Sequence, residues 1–133
     1  MTTQKERFEV LDRLQRAGIS YEDANKLRRI ALTLHRWNEL ECGTDSGAIE
    51  RDEATGKPYW YRADRLNSAR YPVPDREKGA QKRLAKLMER YKGQFIAYEQ
   101  GDPRGASLYL VRHKDVPKGK DIEAYYSNGI AVY

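Results

Sequence analysis

A chain of 133 residues is about one domain's worth of sequence and is long enough to bury a core without metal or disulfide support. Its single cysteine, Cys42, excludes an intrachain disulfide, and no apolar run approaches the roughly 18 residues that a membrane span needs. The net charge of +5 is concentrated: residues 61–92 hold ten Lys/Arg against four Asp/Glu, whereas residues 42–60 are acidic and residues 93–133 are balanced.

From the N-terminus, Phe8, Leu11 and Leu14 recur at helical spacing and Gly18 follows as a left-handed cap, so the chain is expected to open with a helix. Residues 1–15 carry no signal-peptide pattern, which makes a cytoplasmic location the expectation. Ser20 with Asp23 has the form of a capping box for a second helix, whose apolar face runs through Leu27, Ile30, Ala31, Leu34 and Trp37 to Cys42-Gly43. The stretch AIERDEATGKPYWY reads as a hairpin in which two short runs of strand formers flank a turn with Gly56 at positive φ. Pro58 has no amide hydrogen for a ladder and is expected to hold the second run at a sheet edge.

Asp75 is the expected N-cap of a third helix, with Ala80, Leu84, Leu87, Met88 and Tyr91 on one face and Gly93 at its end. Lys78, Lys82, Lys86 and Arg90 fall on the far side of the helical wheel with Arg83 at its margin, so the local charge excess becomes a stripe. Phe95–Glu99 and Leu108–Arg112 then read as strands around the turn Asp102-Pro103-Arg104-Gly105, and residues 130–133 as a last strand. DIEAYYSNG reads as a short helical turn from Asp121, a hairpin closed by Asn128-Gly129 being the alternative. The fold class is therefore α+β in one domain spanning residues 1–133: N-terminal helices, a central hairpin, a third basic helix and a small C-terminal antiparallel sheet.

Few residues have the makings of catalysis. Cys42 follows a helix end, where the negative pole of the dipole disfavours a thiolate. His35 and His113 stand in no ligand spacing with Cys42 or a carboxylate pair, so neither a metal site nor a cofactor is expected. The Gly-Lys of EATGK lacks the strand–loop–helix context of a phosphate-binding loop. Glu50, Asp52 and Glu53 read as the solubilising charges of a hairpin edge. In the Asp102–Gly105 turn, proline, aspartate and glycine explain themselves as turn formers, glycine by its permissive geometry. Arg104 does not, and its five-donor fork suits a carboxylate or phosphate; a salt bridge to Asp102 is the plainer alternative.

Two features speak for binding. The basic stripe, Lys78, Lys82, Arg83, Lys86 and Arg90, is preceded by Arg62, Arg65, Arg70 and Arg76 and is suited to neutralising phosphates, unless it is a solvated helix face. Tyr91, Tyr98, Tyr109, Tyr125, Tyr126 and Tyr133 crowd the last third, where rings such as Tyr98 and Tyr109 serve as core, as stacking platforms or as interface anchors.

The segments LHRWNELECG, AIERDEATGKPYW, PDREKGAQKRLAKLMERY, DPRGASLYLVR and GIAVY together resemble small accessory proteins carried by bacteriophages and prophages, across nearly the whole chain from Leu34 onward. The resemblance implies a protein that acts inside a bacterial host cell by binding a macromolecule. The expected function is thus non-enzymatic binding to a bacterial host protein or complex, such as inhibition of a nucleic-acid-processing or anti-phage defence machine in the manner of an anti-CRISPR. Direct sequence-independent nucleic-acid binding is the second reading, and an enzyme with a site not visible in sequence the third. No membrane partner is expected, and the sequence leaves the oligomeric state open.

Overall fold

Helix α1, Gln4–Arg16, buries Val10, Leu11 and Leu14 and stops at Gly18, whose φ of 102° is open only to a residue without a Cβ clash. The computed structural model describes residues 4–62 and 70–132, so Arg65 and Tyr133 lie outside the described residues. Phe8 departs from expectation: it is 54% exposed, and Val10 takes its place in the core. Leu11 and Leu14 remain in the core, so the buried stripe is widened on the Val10 side and leaves Phe8 at its edge.

Helix α2, Tyr21–Cys42, is the central spine, packing on α1, on the first hairpin, on the third helix and on the last strand. Ser20 caps it by accepting from the Asp23 amide at 3.2 Å. The return half of the capping box belongs elsewhere, because the Asp23 carboxylate turns to Tyr91 and Arg90 at the far end of the third helix.

Strands β1, Gly47–Arg51, β2, Pro58–Arg62, and β3, Arg70–Pro72, form an antiparallel sheet in that order. The expected edge position of the Pro58 run is therefore wrong: β2 is the middle strand. Proline is tolerated because it is the strand's first residue, where its carbonyl accepts from the Val73 amide and it needs no amide of its own. The turn between β1 and β2 is as expected, with Gly56 at φ 72° and Asp52 accepting from the Ala54 and Thr55 amides.

Helix α3, Arg76–Met88, starts at the Asp75 cap and buries Ala80, Leu84 and Leu87. It ends earlier than Gly93: a 3-10 turn, Glu89–Tyr91, carries Tyr91 into the core, and Gly93 at φ 84° makes the reversal into the next strand. Strands β4, Phe95–Glu99, β5, Leu108–Arg112, and β6, Ile130–Val132, form the second antiparallel sheet, again in chain order. Its inner face, with Phe95, Leu108, Leu110 and Val132, closes the core made by α1, α2 and α3. Its outer face is covered by two 3-10 turns, Ile122–Ala124 and Tyr126–Asn128, the first capped by Asp121. The architecture is α+β, with three α-helices and two three-stranded sheets among the described residues.

Candidate functional site

The third helix turns its basic residues in two directions. Lys78 and Lys82 are exposed and stand clear of α2, whereas Arg83, Lys86 and Arg90 lean toward it and line one side of a groove of about 600 Å³. The opposite side is α2, which contributes Lys26 and Arg29 at i, i+3 spacing together with Thr33. Ile30 and Leu87, packed across the α2–α3 contact, make the floor. Sequence reasoning found the α3 half and missed the α2 half, because residues 1–41 hold nearly equal numbers of acids and bases and Lys26 and Arg29 lie within them.

The electrostatics of the groove depend on which cations already have a carboxylate. Asp23, buried at one end, takes the Arg90 guanidinium at 2.9 Å and the Tyr91 hydroxyl at 2.6 Å. The Tyr91 hydroxyl above all, then Arg90 and Ser20, holds the Asp23 carboxyl below the usual carboxylate range against the opposing effect of burial. Lys26 makes a 3.5 Å contact with Glu22 at the exposed rim. Arg29, Arg83 and Lys86 make no ion pair among the described residues. Beside them, Arg28 is crowded: burial, then Arg7 and Arg29, lowers its affinity for its proton, and the Nε atoms of Arg7 and Arg28 are buried without an acceptor. Positive charge on this side of the molecule exceeds what its own carboxylates neutralise.

The remaining sequence candidates are spoken for. Arg104 donates from Nε and Nη2 to Asp102, at 2.7–3.1 Å, and its own amide donates to the same carboxylate. The Asp102 carboxyl is held at about 2 by that pair, and Arg104 is raised in turn, first by its hydrogen bond to Asp102 and then by the charge of that carboxylate. The plainer reading of the turn is therefore what its geometry displays. Gly105 is not in the left-handed region, so its φ demands no glycine; a Cβ there would sit 3.6 Å from both Gln100 Nε2 and the Tyr109 hydroxyl.

Tyr98 and Tyr109 are cross-strand partners, and Tyr126 covers them, stacked on Tyr98 at 4.4 Å and edge-on to Tyr109 at 5.0 Å. Their stacking capacity is thus largely met within the molecule. Burial, then Glu123, Tyr126 and Asp121, raises the Tyr98 phenol. Arg70 pairs with Asp52 and lies over the Tyr59 ring, while Tyr91 is core.

One constellation escaped the sequence. His35 Nδ1 meets Ser107 Oγ at 3.2 Å, His35 Nε2 meets Glu39 at 3.1 Å, and Asn38 donates to Ser107 Oγ and to the Gln100 carbonyl. Serine, histidine and glutamate in series resemble a hydrolytic relay. Ser107 is 1% exposed, however, which denies its oxygen to a substrate and makes the series a polar clip between α2 and the 100–107 loop. The i, i+4 spacing of His35 and Glu39 was the available signal. Among the described residues no three His, Cys, Asp or Glu side chains gather as a metal site, and no helix is long and apolar enough to cross a membrane. The chain matches no protein-family model, and neither the curated proteins nor the solved structures searched contain a match to it.

Proposed function

We propose that the protein acts by non-enzymatic macromolecular binding, and that its α2–α3 groove engages the phosphate backbone of a nucleic acid. The carrying observation is the convergence of Lys26, Arg29, Arg83, Lys86 and Arg90 from two helices on one groove that holds a single, already engaged carboxylate. Such a surface binds through counterion release and needs no base reading, so affinity falls steeply with salt and tolerates any sequence. Its sign also bears on the partner. A host complex built to hold nucleic acid presents cations in its channel, and this groove would repel them; it would reach such a complex through the nucleic acid that the complex carries. An accessory protein of this kind interferes with host nucleic-acid processing or defence by occupying the strand.

The test is a salt series of fluorescence anisotropy with labelled oligonucleotides. Three phosphate contacts by Arg29, Arg83 and Lys86 give a slope of log affinity against log salt of about −2 on a single strand. Replacing Arg83 and Lys86 by glutamate should abolish binding while leaving the melting temperature intact. A protein that retains no oligonucleotide at low salt, yet is captured by an acidic host protein after nuclease treatment, would overturn the nucleic-acid reading in favour of a protein partner.

A further inference from the structure

We infer that the groove is shaped for a single strand rather than a duplex, an inference that rests on the nucleic-acid reading above. Arg83 and Lys86 on α3 and Arg90 in the 3-10 turn that continues it follow one another at three and four residues, a row of about 10 Å along the axis. Lys26 and Arg29 form a second row on α2, and packed helix axes lie only about 8–10 Å apart. Between the rows the exposed apolar lining comes mainly from the aliphatic stems of the long cations, since Ile30 and Leu87 beneath them are only 3% and 6% exposed.

Those three properties select among nucleic acids. A duplex presents its phosphates on a convex surface and keeps its bases inside the stack, so it can touch the cationic heads but leaves the aliphatic stems between the rows in water. A single strand can lie along the rows and turn a base face onto the stems of Lys26, Arg29, Arg83 and Lys86, gaining both the phosphate contacts and the burial. The groove's volume, about 600 Å³, falls within the range of sites that enclose small ligands, which suits one or two nucleotide units at a time. At one end Asp23 and Arg90 neutralise each other, so the strand's strongest contacts are Arg29, Arg83 and Lys86. Among the described residues no aromatic ring lines the groove, so a base would rest on aliphatic carbon, a contact that reads no base edge.

The experiment compares a labelled twelve-residue oligothymidylate with a blunt twelve-base-pair duplex of mixed sequence, in the same buffer, using the full chain. The single strand should bind about tenfold more tightly, a difference of about 1.4 kcal/mol. Arg29→Ala with Arg83→Ala should cost the single strand more than about tenfold, and Lys78→Ala with Lys82→Ala less than about twofold, the circular dichroism melts of both variants matching the parent. Equal or tighter duplex binding would overturn this inference and leave the nucleic-acid reading standing. Binding of neither probe would overturn both. Equal losses from the two double variants would remove the site from the groove.

Discussion

Two regions of this molecule use arginine for opposite ends. At the join between the first sheet and the helices, Arg51 donates two hydrogen bonds to Asp75 and one to Glu77 and lies 5.4 Å from the Trp37 ring centroid, so its charge is consumed in holding β1 against α2 and α3. Across the α2–α3 contact, Arg29, Arg83 and Lys86 have the same chemistry and no ion-pair partner among the described residues. The residue type does not separate the two cases; the number of carboxylates within reach does. A partnered guanidinium has donors filled by the fold, and one without a carboxylate partner keeps them open to a ligand.

The sharpest way to break that comparison is to alter neighbours on one helix. Leu84 is buried and Lys86 is exposed, two residues apart. Leu84→Ala should cost about 2–5 kcal/mol in chemical denaturation. Lys86→Ala should stay within about 0.5 kcal/mol of the parent and lower oligonucleotide affinity. A destabilised Lys86 variant would mean that the groove cations hold the fold together.

How much of this could be read from the chain divides along the same line. Local signals carried far: the Ser20 and Asp75 caps, Gly18 and Gly56 at positive φ, and the strands Phe95–Glu99 and Leu108–Arg112 all follow from neighbouring residues. Errors arose where a distant element decides. Pro58 sits centrally because β3 returns to its carbonyl side, and Phe8 is exposed because α2 meets the other flank of α1. The candidate site was half legible for the same reason. A helical wheel shows that Arg83, Lys86 and Arg90 share a side of α3, but only packing reveals that Lys26 and Arg29 face them and that Lys78 and Lys82 do not.

Arg90 stands between the two classes, since Asp23 neutralises it at the end of the groove. Asp23→Asn would release it. That variant should lose about 1–3 kcal/mol of stability, because a buried carboxylate that accepts from Tyr91 and Arg90 is replaced by an amide with a donor facing a cation. Its affinity for a single strand should nevertheless rise, with a salt slope steeper by about 0.7 as one more phosphate is neutralised. Weaker binding without a steeper slope would show that Arg90 does not face the strand.

The Arg51 clip makes a prediction in pH. Asp75 titrates at about 2 in the folded protein, below the 3.8 of an ordinary aspartate, mainly because Arg51 holds its carboxylate. A depressed carboxyl stabilises the fold above its unfolded value, so this contribution is complete above about pH 5 and is lost as the pH falls from about 4 to 2. On the order of 2 kcal/mol is at stake, and Asp75→Asn should remove both it and the acid dependence. An unchanged slope between pH 4 and 2 in that variant would reassign the acid sensitivity to other carboxylates.

The smallest effect is expected at Arg104, and it decides whether a partnered arginine can also serve a ligand. Its side chain is 89% exposed while bound to Asp102, so solvent screens the pair and little stability depends on it. Arg104→Ala and Arg104→Lys should both melt with the parent. If partner count sorts structural from functional arginines, both should also bind oligonucleotide like the parent, since the Nε–Nη2 edge of the fork is already taken by Asp102. Loss of affinity in both variants, more for alanine than for lysine, would show that an incoming phosphate displaces Asp102. Exposure would then have to be weighed beside partnering in judging which cations of this surface are available.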